Sequence, residues 1–112
     1  SQNKMSIDSL ITSCDNQSLD TLKVMTGNNI INYYMYRSTD KAQKYAFEMR
    51  DMSKKINYKS GLSLALYQLG VAYNNFDNLD SAKYYYNSSL KIANQINNVT
   101  FKSQAYRGLA II

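Results

Sequence analysis

The sequence repeats itself with a period of about 40 residues, and this periodicity restricts the possible folds more than any other feature. Aligned with itself at that offset, the chain matches residues 23–72 to residues 63–112 without a gap. Identical pairs include Asp40 with Asp80, and similar residues occupy many of the positions between the identities. One ungapped register of this length predicts a tandem structural repeat, whose units bury their apolar faces against one another.

Within the best-preserved unit, the apolar spacing is that of two helices. A first stripe passes through Leu62, Leu66, Leu69 and Tyr73. Its steps of three or four residues are typical of a helix that buries one face. After the polar stretch 74–78, a second stripe passes through Ala82, Tyr86, Ser89, Ala93 and Ile96. Asn78 and its equivalent Ser38 precede these second helices, where we expect their side chains to cap the exposed N–H groups. Ser6 is placed to cap another helix at 7–11 in the same way.

The composition supports an all-α chain and excludes several kinds of chemistry. The 112 residues contain no proline and only four glycines, which is few for a β-rich chain of many turns. Histidine, the commonest general base and metal ligand, is absent, and Cys14 is the one cysteine. No carboxylate has sequence neighbours that would desolvate or orient it for catalysis. We therefore expect a non-catalytic domain with no cofactor and no metal, in which Cys14 is a small bystander thiol.

The net charge is +5, from 13 Lys and Arg against 8 Asp and Glu. These positive residues are dispersed, the densest pair is 54–55, and no basic ladder recurs at the repeat period. Nucleic-acid binding is therefore the third alternative, and we predict no nucleic-acid partner. No apolar run approaches the length of about 18 that a membrane span needs, and the first ten residues lack the pattern of a secretory signal. A membrane is expected only through segments outside this sequence.

The motif LYQLGVAY at 66–73, followed by Ala82 and Tyr86, resembles the signature of the tetratricopeptide repeat. This resemblance implies a right-handed α-α superhelix, a solenoid of about two and a half helix-turn-helix repeats. It divides the chain into an N-terminal segment and three units, at 1–17, 18–57, 58–98 and 99–112. The proline usual in the second helix is missing, and Asn94 lies close to its place. The repeat period exceeds the usual one of about 34, which implies second helices that are longer by about a turn and a half.

Two further segments resemble the sensor regions of certain bacterial histidine kinases and related transcription regulators. STDKA at 38–42 is similar to a recurrent helix start, and KINYKSG at 55–61 to a recurrent linker. The resemblance implies the sensory part of a bacterial two-component signalling protein, on the periplasmic side of a membrane, although a cytoplasmic location is open. The alternative is a structural or dimerising module of a regulator, whose groove is empty or filled by residues 1–17.

In the tetratricopeptide family, the first helix of each repeat lines a concave groove that holds a protein or peptide. Carrying this pattern over, position by position, predicts the following groove residues: Ile31, Tyr34, Met35, Tyr67, Val71, Asn74, Asn75, Gln104 and Arg107. Tyr67 replaces the lysine that family members use to clamp a C-terminal carboxylate, so we do not expect that clamp here. The apolar stretch LAII at 109–112 predicts self-association through the last helix, or a continuing array.

Overall fold

The computed structural model describes residues 6–16 and 21–112, the side chains of 13–16 excepted. Within those ranges the chain forms six α-helices and no strand, which confirms the prediction of an all-α fold. Their bounds are α1 (Ile7–Asn16), α2 (Thr21–Tyr34), α3 (Thr39–Lys55), α4 (Lys59–Asn75), α5 (Leu79–Gln95) and α6 (Val99–Ala110). The Cys14 side chain and the boundary predicted at 17–18 lie outside the described residues.

From α3 onward the helices begin at even intervals, so each repeat contains two helices of similar size. α3, α4 and α5 each have 17 residues. The additional length expected for the second helices is therefore not confined to them, since the first helix α4 is as long as α5. Three equivalent turns hold Asn57, Asp77 and Asn97 at φ values of 55°, 58° and 53°. Asn and Asp tolerate this left-handed region better than other residues with a side chain, which suits them to the turn.

The predicted helix caps are confirmed at two positions and wrong at a third. The Oδ1 atom of Asn78 accepts a hydrogen bond of 3.2 Å from the backbone N–H three residues later. Ser6 Oγ accepts an equivalent bond of 3.1 Å, but α1 continues past residue 11 to Asn16. Ser38 makes no side-chain cap. Asn98, which was not predicted, caps α6 at 3.0 Å. Amide side chains therefore cap both α5 and α6, whereas the hydroxyl at the equivalent position before α3 does not.

The helices form two layers. Each helix packs against the next one in the chain, and α2 also contacts α4, which in turn contacts α6. α3 therefore lies against both α2 and α4, and α5 against both α4 and α6. α1 packs against α2. This places α2, α4 and α6 side by side, so their common face offers one continuous surface.

Tyr86 is the largest fully buried side chain, and its ring lies between α4 and α6. It is 1% exposed. A Cβ atom added at Gly70 would lie 2.6 Å from the ring, and one added at Gly108 would lie 2.5 Å from it. Both distances are shorter than real non-bonded contacts of a Cβ atom, so α4 and α6 approach the ring this closely only because they carry glycine there.

The equivalent site in the preceding repeat is filled by the opposite choice of side-chain sizes. Ala46 stands where the next repeat has Tyr86, and Ile30 and Gln68 stand where it has Gly70 and Gly108. Ala46 and Ile30 have no exposed surface, and Gln68 is buried. A large residue between two small ones is thus exchanged for a small residue between two large ones, which conserves volume in the core. The exchange also brings a buried carboxamide, that of Gln68, to the centre of the α2, α4, α6 layer.

Candidate functional site

The common face of α2, α4 and α6 contains a pocket of about 210 Å³, which we call the amide pocket. Its lining residues are Asn28, Asn32, Met35, Tyr36, Leu64, Tyr67, Gln68, Val71 and Gln104. Four of these nine are carboxamides and none is charged. The pocket thus offers hydrogen-bond donors and acceptors beside an apolar wall, without a formal charge in its lining.

A hydrogen-bonded network orients the carboxamides at the α2–α4 side of the pocket. Gln68, 5% exposed, donates from Nε2 to Asn28 Oδ1 at 3.1 Å and to Asn32 Oδ1 at 2.8 Å. Since both N–H groups of Gln68 Nε2 serve these bonds, both asparagines turn their oxygen atoms toward it. Each asparagine therefore keeps its Nδ2 group, which this network does not use, as a donor for a ligand.

On the α6 side of the pocket, one carboxamide oxygen has no hydrogen-bond partner among the described residues. The Oε1 atom of Gln104 is buried, and no hydrogen-bond partner for it exists in the part of the chain that the structure describes. A buried acceptor without a partner carries a desolvation penalty. Gln104 therefore keeps its Oε1 atom away from solvent at a cost in stability, although other atoms of the residue line the pocket.

Tyrosine side chains form the aromatic part of the site. The ring of Tyr67 lies 5.7 Å from that of Tyr86, centroid to centroid, at an angle of 42°. Burial raises the pKa of Tyr67, an effect that the nearby positive charge of Arg107 partly offsets. Burial, with smaller contributions from Tyr67 and Tyr36, raises the pKa of Tyr86 to about 12. The Tyr67 and Tyr86 hydroxyls therefore stay protonated at neutral pH and can donate hydrogen bonds.

The structure brings four of the nine predicted groove residues into the lining: Met35, Tyr67, Val71 and Gln104. Arg107 lies one turn after Gln104 on α6, is exposed, and is close enough to act on Tyr67 electrostatically. Asn75 donates from Nδ2 to the backbone oxygen of Met35 at 3.3 Å, so it ties the end of α4 to the residue that follows α2.

The other predicted residues lie elsewhere. Ile31 has 0% exposure, so no partner can touch it in this conformation. Tyr34 faces α3, where its ring stacks on Tyr45 with a centroid distance of 6.2 Å and an angle of 4°. Asn74 is half-buried and does not line the pocket. Neighbouring positions along α2 thus face different surroundings: some face the core, some the pocket and some α3.

Five lining residues were not predicted from the sequence: Asn28, Asn32, Tyr36, Leu64 and Gln68. A signal for three of them is present in the sequence. Asn28, Asn32 and Met35 are separated by four and three residues, so they share one face of α2. Gln68 occupies the position equivalent to Asn28 in the next repeat. This one pair of carboxamides at the repeat period, Asn28 and Gln68, is a signal for the site that the family pattern does not contain.

A second cavity, of about 130 Å³, lies between α2 and α3. It is lined by Lys23, Val24, Gly27, Tyr45, Glu48, Met49 and Met52. Gly27 stands where the next repeat has Tyr67, and a Cβ atom added there would meet nothing closer than Met49 Sδ at 3.7 Å. This cavity therefore reflects a missing side chain, only partly replaced by the methionine.

Comparisons with described protein families, with curated proteins and with solved structures gave no match to this chain. Among the described residues, no group of three or more acidic or cysteine side chains comes together as a metal site. None of the helices described has both the length and the apolar character needed to cross a bilayer. The amide pocket is therefore the feature of the molecule that bears most directly on its function.

Proposed function

We propose that this chain is a non-catalytic helical repeat domain of the tetratricopeptide type that binds a protein or peptide partner. The sequence period, the even spacing of the helix starts and the contacts between alternate helices support a right-handed superhelix. In such an array the partner lies along the first helices of the repeats, which are α2, α4 and α6. The amide pocket lies on that layer.

The observation that carries the proposal is the amide pocket itself. An extended peptide presents N–H donors and C=O acceptors alternately, and carboxamide side chains can pair with both. The pocket supplies carboxamides from all three helices, at Asn28 and Asn32 on α2, Gln68 on α4 and Gln104 on α6. Tyr67 and Val71 add the aromatic and apolar surface that contributes most of the affinity in peptide recognition.

For the larger role, we propose the sensory part of a bacterial signal-transduction protein, such as a two-component histidine kinase on the extracytoplasmic side. Its support is the resemblance of 38–42 and 55–61 to such sensor regions. The alternative, a dimerising module of a regulator that fills the groove with its own N-terminal segment, has less support. α1 packs on α2, and none of its described residues lines the amide pocket.

Selection from a displayed peptide library tests the binding function. Clones selected on the wild-type protein should bind at least about tenfold more weakly to Asn32→Ala and to Tyr67→Ala. The matched control is Asn87→Ala, an exposed asparagine on α5, which does not line the pocket. Circular dichroism checks that all variants keep their helicity. Clones that bind all four proteins equally would place the partner elsewhere, and a library that yields no specific clone would argue against a peptide-binding groove.

A further inference from the structure

The polar side chains that line the amide pocket offer a ligand more hydrogen-bond donors than acceptors. Asn28 and Asn32 turn their oxygens to Gln68, which leaves their Nδ2 groups for a ligand. The Oε1 atom of Gln104 is buried, so the polar atom that this side chain can offer is its donor, Nε2. The Tyr67 hydroxyl, whose pKa is raised by burial, is a fourth donor. The pocket therefore matches a group that accepts several hydrogen bonds.

The charges around the pocket favour a negatively charged acceptor over a neutral one. None of the described lining residues is acidic, so none of them would repel an anion. Arg107 is exposed on α6, one turn after Gln104, and its positive charge already acts on the Tyr67 hydroxyl. Hydrogen bonds to an ionised acceptor are also about twice as strong as those between neutral groups. An anion thus gains from both the donors and the arginine, whereas a neutral carbonyl oxygen gains from the donors alone.

Other groups that a peptide can present match this arrangement less well. An ammonium group has only donors, and it would find no carboxylate among the described lining residues. An aliphatic side chain would displace water from the carboxamides and leave them without hydrogen bonds. A phosphate dianion would bring two charges into a lining whose described residues include no cation except Arg107 nearby, so its desolvation would be poorly offset.

We infer that the amide pocket holds the side-chain carboxylate of an aspartate or glutamate in the bound segment. The pocket volume of about 210 Å³ corresponds to about seven water molecules, which is enough for one such side chain. The site differs from the family's clamp for a C-terminal carboxylate, because Tyr67 stands in place of the clamp lysine and the lining donors are neutral. This inference rests on the proposed peptide-binding function and names the side chain that the pocket prefers.

Four small probes separate this preference from general peptide binding. Three are the Nα-acetyl N-methylamides of glutamate, glutamine and alanine, and the fourth is Nα-acetylalanine, whose carboxylate is that of a chain terminus. Each is titrated at pH 7 into the ¹⁵N-labelled protein, and the side-chain NH₂ signals of Asn28, Asn32 and Gln104 are followed. We expect the glutamate probe to bind at least about fivefold more tightly than any other, because its hydrogen bonds are charge-assisted. In about 0.5 M NaCl the preference over the glutamine probe should fall to less than about twofold, since salt screens Arg107.

Two variants assign the preference to the donors and to the arginine. Asn32→Asp keeps an oxygen that accepts from Gln68 and replaces only the NH₂ group by a second oxygen, so the protein should fold and bind the glutamate probe at least about tenfold more weakly. Arg107→Gln should reduce the preference to less than about twofold. Lys91→Gln removes the same charge from an exposed position on α5, which contributes nothing to the lining, and should leave the preference unchanged. An unchanged preference in both Asn32→Asp and Arg107→Gln overturns the inference.

Each other outcome of the titration also decides the matter. If the glutamine probe binds as tightly as the glutamate probe, or if no probe shifts the pocket signals, the carboxylate preference is refuted. If Nα-acetylalanine binds as tightly as the glutamate probe, the pocket takes a chain terminus and the assignment to a side chain is refuted.

The peptide library separates this inference from the proposed function. Selected peptides that depend on Asn32 and Tyr67, but bind equally well after their acidic residues are replaced by the corresponding carboxamides, refute the carboxylate preference and leave the peptide function standing. A glutamate probe that binds as expected, beside a library that yields no specific clone, supports the carboxylate preference and argues against a peptide-binding groove.

Discussion

Replacing Gly70 with alanine tests whether the Tyr86 ring determines how closely α4 and α6 can approach α5. In an unobstructed helix, Gly→Ala stabilises a protein by about 1 kcal/mol. At this position the new Cβ atom would lie 2.6 Å from two ring carbons of Tyr86. The ring has little room to move away, because Tyr86 is fully buried and the Gly108 position also lies against it. Overpacking of this kind costs about 3 kcal/mol at its upper range, so we expect a net loss of about 2 kcal/mol.

Gly27→Ala is the matched control, since Gly27 also lies in the interior of a first helix. Its added Cβ atom would meet only Met49 Sδ, at 3.7 Å, beside the cavity between α2 and α3. The helix-propensity gain is therefore unopposed, and we expect stabilisation of about 1 kcal/mol. The two substitutions, identical in chemistry, should differ by about 3 kcal/mol.

Urea unfolding followed by far-UV circular dichroism measures both free energies of unfolding. The midpoints should shift in opposite directions at an unchanged m-value. In a Tyr86→Leu background, which has no ring to obstruct the new atom, Gly70→Ala should lose most of its penalty, a coupling of about 2 kcal/mol or more. A Gly70→Ala protein that is as stable as the wild type, or a penalty that persists without the ring, would refute the packing argument.

Three further results are expected. Asn78→Ala should lower the free energy of unfolding by about 1 kcal/mol, whereas Ser38→Ala, at the equivalent position without a cap bond, should change it by less than about 0.3 kcal/mol; equal losses would contradict the cap assignment. Because burial raises the pKa of Tyr86 to about 12, from 10.0, the stability that its burial contributes is complete below about pH 10 and lost as the pH rises toward 12. Between pH 9 and pH 11, the urea midpoint of Tyr86→Phe should fall by less than that of the wild type. An equal fall in both proteins would mean that other groups cause the loss of stability. Gln104→Leu should leave the thermal midpoint unchanged or raise it, because it removes a buried acceptor that has no partner among the described residues; a clear decrease would mean that Gln104 is satisfied in solution.

The positions of the helices could be predicted from the sequence because the signals that set them are local. The polar stretch at 74–78 ends one helix, and Asn78 begins the next by bonding an N–H group only three residues away. Both are properties of neighbouring residues, and the sequence repeat reproduces them. Ser38 shows the limit of this reasoning, because its equivalence to Asn78 in the repeat does not ensure the same hydrogen bond.

Which faces of α2, α4 and α6 are buried, and which line the pocket, could not be predicted as well as the helix positions. α4 packs against four other helices if its contacts with α2 and α6 are included, and nine of its 17 residues are buried. A helix that is buried nearly all round has little apolar asymmetry from which the pocket side could be inferred. Gln68 illustrates the difficulty, since it is a polar residue on this helix and yet is buried, because Asn28 and Asn32 accept its hydrogen bonds.

The all-α class, the repeat period and several of the helix ends thus follow from the order of residues along the chain, because they depend on local hydrogen bonds and apolar spacing. The packing of the helices shows in addition that Ile31 is core, that Asn28 and Asn32 face a pocket and that Tyr86 requires two glycines. These properties depend on which helices meet from one repeat to the next, and on how the volumes of their side chains fit together once they do.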